Sequence, residues 1–133
     1  MGKIYEFNPQ IYKTRLWVAK RGVTKDEIDK VFYALNEDEE GVSFADNHEM
    51  PDYGTALETY IVGHKESKIK GCLVVINREV TVGSLAHEAS HCADWLFEDI
   101  GEATRSYEHG EPQAYYIEWV TDRLYEVYKG KVK

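Results

Sequence analysis

Covalent and conformational staples are scarce in this 133-residue chain, which has two cysteines and three prolines. Cys72 and Cys92 stand alone, with no Cys-x-x-Cys pair and no spaced framework, which argues against a disulfide scaffold and a cysteine zinc knuckle. Positive charge is also short. Sixteen Lys and Arg face 24 Asp and Glu, for a formal net charge of −8. The densest basic stretch, Lys65, Lys68 and Lys70, is diluted by Glu66. Without a basic patch to neutralise phosphates, nucleic acid is not expected as the primary partner. No apolar run approaches the roughly 20 residues of a membrane span. The opening Met-Gly-Lys-Ile-Tyr-Glu-Phe lacks the apolar core of a signal peptide. The expectation is a protein kept in a reducing cytoplasm with no membrane partner.

What is present is an ordinary globular composition, 43% hydrophobic and 30% charged, with ten tyrosines. It fits one domain over residues 1–133. Leu16–Lys20 reads as a short strand. Thr24–Leu35 reads as a helix: Thr24 is the N-cap, Glu27 sits three residues on, and Ile28, Val31, Phe32 and Leu35 recur at helical spacing. Val42–Ala45 reads as a strand and Asp46–Gly54 as a polar loop. Leu57–Val62 and Cys72–Ile76 are strands by their β-branched and apolar content, joined through polar Lys65–Lys70 as an antiparallel hairpin. Val82–Phe97 and Pro112–Lys129 are helices, with Pro112 in a first turn and Gly130 at the stop. Glu98–Gly110 connects them. The fold class is therefore α+β, a small antiparallel sheet with helices gathered mostly in the second half.

Residues 87–91 read His-Glu-Ala-Ser-His. Two histidines four apart on a helix share a face, one turn from each other, so both imidazoles can reach one metal ion. The intervening Glu88 points about a quarter-turn away, where it can hold a water and take its proton. A random chain of this composition would show the pattern roughly two times in a hundred, so its surroundings decide. With His87 at zero on a helical wheel, His91 falls near about 40°, Asp94 near about −20° and Glu98 near about 20°. Leu85, Ala89, Cys92, Ala93 and Leu96 fall opposite, a small-residue face suited to close packing on a sheet. A merely solvated face would normally carry Lys or Arg, and this one carries none. A metzincin pattern is absent, because positions 94 and 97 are Asp94 and Phe97.

A catalytic zinc needs a third protein ligand and an open fourth position. Residues 110–119 read Gly-Glu-Pro-Gln-Ala-Tyr-Tyr-Ile-Glu-Trp, and Glu111 lies twenty residues after His91. In these two motifs the chain resembles the gluzincin class of zinc peptidases, the thermolysin-like group. It is similar also to small phage and prophage proteins in which an H-E-x-x-H helix precedes a Glu-Pro-x-Ala-Tyr segment. The segment Ile11–Val18 has a similar flavour. The resemblance implies a minimal zincin-like fold and Zn2+ held by His87, His91 and Glu111. It implies Glu88 as general base, a peptide or protein substrate, and Leu73–Ile76 as a sheet edge along which a peptide adds as a strand. Larger members take a transition-state-stabilising His from a further domain. The candidates here are His109, Tyr115, Tyr116 and the loop around His48.

Asp94, one turn past His91, is expected to orient a ligand imidazole, or alternatively to be the third ligand itself. The bland alternatives are a helix-surface acid for Asp94 and a dipole-favoured first-turn acid for Glu111. His48 and His64 are expected at the surface, Trp95 and Trp119 as packing anchors, and Cys92 as a buried small hydrophobe. The rival to a peptide-bond hydrolase is a phage-encoded protein whose zinc is structural or vestigial and whose work is binding a partner.

Overall fold

Two apolar segments, Arg15–Ala19 (β2) and Lys70–Ile76 (β6), lie side by side and parallel inside a six-stranded sheet in the computed structural model of this chain. The structure describes residues 3–36, 38, 40–51, 55–101 and 110–131. These fall into two compact units, Met1–Glu79 and Val80–Lys133.

In the first unit, β1 (Ile4–Phe7) pairs antiparallel with β2. Helix α1 (Lys25–Val31) leads directly into β3 (Phe32–Leu35), then β4 (Gly41–Ser43) and the short helix α2 (Phe44–Asn47). Strand β5 (Leu57–His64) and β6 form the expected antiparallel hairpin, longer than its sequence signal at both strands. The sheet order is β1-β2-β6-β5-β3-β4. The expected wholly antiparallel sheet is thus corrected to a mixed one, because β2 runs parallel to β6 with Ala19 opposite Val75. That pairing is unusually close at one point. A Cβ on Gly71 would stand 2.0 Å from the carbonyl oxygen of Arg15, so only glycine fits there.

The expectation for Leu73–Ile76 is also corrected. β6 is an interior strand, hydrogen-bonded to β2 on one side and β5 on the other, and has no free backbone edge for an added peptide. The sheet's edges are β1 and β4.

The helix expected over Thr24–Leu35 is half right. Thr24 caps it with a full capping box, accepting from the Glu27 amide while Glu27 accepts from the Thr24 amide. The helix stops at Val31. Phe32–Leu35 extends instead, pairing Phe32 with His64 and Ala34 with Val62. Burial there alternates, with Phe32 and Ala34 inside, which is the period of a strand. Val42–Ala45 is likewise split: the strand ends at Ser43, whose hydroxyl caps α2 by accepting from the Asp46 amide. The Asp29 carboxylate of α1 accepts from the Ala45 amide at 2.9 Å. That bond holds its pKa below the usual carboxylate value, with Lys65 helping and partial burial opposing.

One face of this sheet carries a core of Trp17, Val23, Ile28, Phe32, Phe44, Tyr60, Val62, Leu73 and Val75. The histidines expected at the surface are partly inside this aromatic packing. His64 stacks on Trp17 at 6.0 Å and meets Phe32 edge-on at 5.6 Å. His48 packs on Phe44 and Tyr60, and burial lowers its pKa, partly offset by Glu58. The Tyr60 hydroxyl donates to the Glu49 carbonyl at 2.6 Å, with the Glu58 carboxylate at 3.0 Å, and burial raises its pKa.

The second unit is a pair of long helices packed on each other, α3 (Val82–Asp99) and α4 (Glu111–Tyr128). Both match their sequence expectations within two residues, and Pro112 sits in the first turn of α4. Gly130 closes that helix in the left-handed region at φ 70°. Most of the connection read over Glu98–Gly110, including residues 102–109, lies outside the described residues, as do residues 52–54 of the loop read over Asp46–Gly54. Among the described residues no helix is long and apolar enough to cross a membrane.

Candidate metal centre

Helix α3 begins at Thr81, whose hydroxyl accepts from the Ser84 amide at 3.1 Å. Its buried positions are Leu85, Glu88, Ala89, Cys92, Ala93, Leu96 and Phe97. They recur at three- and four-residue spacing, so the helix has one apolar stripe and one wet face. Cys92 is fully buried and unpaired, as its wheel position implies. α4 contributes Tyr116, Val120, Leu124 and Val127. The later turns of α3 meet the early turns of α4. Phe97 packs edge-on against Tyr116 at 6.2 Å, and Gln113 Nε2 donates to Asp94 Oδ1 at 2.9 Å. Trp119 stacks on Tyr116, and the Arg123 guanidinium lies 5.7 Å from the Trp119 ring centroid, which makes it the packing residue expected.

On the wet face, His87 and His91 approach edge-to-face, ring centroids 4.8 Å apart. Their Nε2 atoms are 3.2 Å apart. The Glu88 carboxylate lies 3.7 Å from His87 Nε2. Ligand-type atoms of His87, Glu88 and His91 all fall within 4.8 Å of one another. The donor set can be tested against a zinc ion. Tetrahedral coordination with Zn–N bonds of about 2.0–2.1 Å places two ligand nitrogens about 3.3–3.4 Å apart. The observed imidazole spacing is close to that value.

The three residues differ in exposure in a way that suits different roles. The His87 side chain is 70% exposed, whereas that of Glu88 is 10% exposed. A carboxylate that sits on the border between the apolar stripe and the wet face is restricted in rotamer, yet reaches the histidines. Its burial is the one feature the helical wheel only half anticipated.

The remaining sequence-derived candidates are placed as follows. Glu111 stands in the first turn of α4, exposed, and is outside the group formed by His87, Glu88 and His91. Asp94 is bonded to Gln113, so its observed work is to tie α3 to α4. Gln113 had no role by sequence, because pairing it with Asp94 requires the register between two helices. Tyr115 is 66% exposed, one turn from Glu111, while Tyr116 is buried. His109 lies outside the described residues. His48 belongs to the aromatic packing of the first unit.

No family model, curated protein or solved structure matches this chain.

Proposed function

We propose that the wet face of α3 is the centre of a zinc-dependent peptide-bond hydrolase of gluzincin type, acting on a peptide or protein substrate. The observation that carries this reading is the 3.2 Å spacing of the His87 and His91 Nε2 atoms beside the Glu88 carboxylate. His87 and His91 hold the ion. Glu111 is the third ligand the resemblance implies, at the start of the neighbouring helix. A zinc ion there supplies Lewis acidity, lowering the pKa of a coordinated water and polarising a carbonyl. Glu88 takes the proton of the attacking water and delivers it to the leaving amine, a transfer that a carboxylate fixed by burial performs without searching for its rotamer. Tyr115 and His109 are the side chains proposed to steady the developing oxyanion. Substrate is not held by strand addition to β6, whose two edges are already paired.

Glu88→Gln separates catalysis from binding. The amide keeps the shape and the metal but cannot take a proton, and loss of a general base typically costs about 10²–10⁴-fold in rate. Peptide-library cleavage and zinc content are measured on the same preparations. A wild type that cleaves and a Glu88→Gln variant that cleaves equally fast would refute the mechanism. One observation favours a second reading, a zinc-stabilised binding module: the exposure of His87 leaves the pair open to a ligand supplied by a partner. In that case Glu88→Gln is silent and stability follows zinc occupancy.

A further inference from the structure

Among the described residues, one side chain from the first turn of α4 hydrogen-bonds to α3: Gln113, whose Nε2 donates to Asp94 Oδ1 at 2.9 Å. We propose that Gln113 is a substrate-binding residue, its amide pairing with the main chain of a peptide that lies over the metal centre. The inference rests on the peptidase reading and names the group through which α4 recognises the peptide.

The placement comes from the two helices. Asp94 stands three residues after His91, about 4.5 Å further along the axis of α3 and on the same wet face. Its bond therefore brings the Gln113 amide to within one turn of the histidine pair. About one turn further along both helices, Phe97 meets Tyr116 edge-on at 6.2 Å, and both rings are buried. Gln113 is thus carried on a helix already fixed by packing, and is itself half-buried.

A side-chain amide offers two N–H donors and a carbonyl acceptor. Asp94 takes one donor. As a carboxylate only accepts, it also fixes which end of the amide faces α3. One N–H and Oε1 of Gln113 are left without a protein partner among the described residues. In an extended peptide the N–H and C=O of one residue point to the same side, as they do when strands exchange a pair of bonds. One substrate residue can therefore satisfy both atoms. An extended chain advances about 3.3 Å per residue, so that residue lies about one or two places from the bond held at His87 and His91. Recognition of this kind reads the main chain and is indifferent to side-chain sequence.

The test uses the zinc-loaded, 15N-labelled Glu88→Gln variant, which keeps the proposed ligands and leaves the peptide uncut. Acetyl-tetraalanine amide is titrated in, and the same peptide N-methylated on every residue is the control. The inference predicts saturable shifts of the Gln113 side-chain NH2 signals, together with the backbone amides of His87 and His91. The N-methylated peptide should bind about fivefold to tenfold more weakly, the loss expected for one neutral hydrogen bond. These readouts need no change at Gln113. Gln113→Met, added to the same variant, keeps the length, charge and helix propensity and removes the amide. It should weaken the unmethylated peptide by a similar factor and retain zinc. Shifts at His87 and His91 with the Gln113 NH2 unmoved, equal affinity in Gln113→Met, or loss of zinc from it would each overturn this inference alone. No shift at any of the three residues would overturn the peptidase reading together with it.

Discussion

Replacing Gly71 with alanine adds one methyl group where β6 runs against β2. That Cβ would lie 2.0 Å from the Arg15 carbonyl oxygen, 2.9 Å from its carbonyl carbon and 3.0 Å from its nitrogen. Even a weak C–H···O contact needs about 3.3 Å, so the strands must part by more than about 1 Å at that point. All three atoms are main chain, so no side chain can swing aside. Overpacking in a core commonly costs about 1–3 kcal/mol, and sometimes more when the backbone must move. This case belongs at the upper end, about 3 kcal/mol, because separation also stretches the hydrogen bonds that join Arg15–Ala19 to Gly71–Val75. At about 4 °C per kcal/mol for a chain this size, the melting temperature should fall by about 10 °C or more. Gly83→Ala is the control. Near the start of α3 its Cβ would meet, among the described residues, only the Thr81 hydroxyl, at 3.7 Å, and alanine is the better helix former by up to about 1 kcal/mol. The same chemical change should therefore have opposite signs at the two positions. Urea unfolding followed by circular dichroism measures both. A loss below about 1 kcal/mol in Gly71→Ala would refute the close parallel pairing, and with it the interior place of β6.

The third metal ligand is addressed by comparing two acids. Glu111→Ala should lower zinc affinity more than Asp94→Ala, whose carboxylate is engaged by Gln113; competition against a chromophoric chelator ranks them, and the reverse order would remove Glu111 from the ligand set. The depressed pKa of His48, caused first by burial, makes stability depend on pH. The unfolded imidazole takes up a proton near about pH 6.5 while the folded one resists. Its contribution is thus present above that pH and lost as pH falls towards the lower folded value. Unfolding free energy should drop between pH 7 and pH 5, and His48→Gln should flatten that slope; an unchanged slope in the variant would show that His48 is not its source.

How much of this was legible in the sequence depends on whether the deciding contact was local. The two long helices carry their own signals, an apolar stripe over several turns with Thr81 or Pro112 at the start. The Thr24–Glu27 capping box is equally local, and it was read correctly. The end of that helix was not. Over Phe32–Leu35 the helical and alternating patterns overlap for four residues, and pairing with Val62–His64, thirty residues away, decides for the strand. β1 was missed because four residues are too few to register a period. The parallel arrangement of β2 and β6 could not be read at all, since a strand's sequence does not name its partner. One clue to the interior position of β6 was available. Cys72–Ile76 is a continuous apolar run, the pattern of a strand buried on both faces, which argues against an edge.

At the candidate site the same division holds. His87, Glu88 and His91 are brought together by the pitch of a single helix, so spacing alone is enough to gather them. Glu111, Asp94 and Gln113 depend on how α3 and α4 are registered. For Asp94 the expectation is a contact with a ligand imidazole, and the structure shows a bond from Gln113.

The central claim is that His87 and His91 form one metal site, and metal content tests it most directly. Purified protein is reconstituted with zinc, dialysed and assayed for bound metal by elemental analysis, alongside His87→Ala and His91→Ala. The account predicts one zinc per chain in the wild type and its loss in both variants, with the helical circular dichroism retained. A wild type without stoichiometric zinc, or a His91→Ala variant that keeps it, would contradict the account.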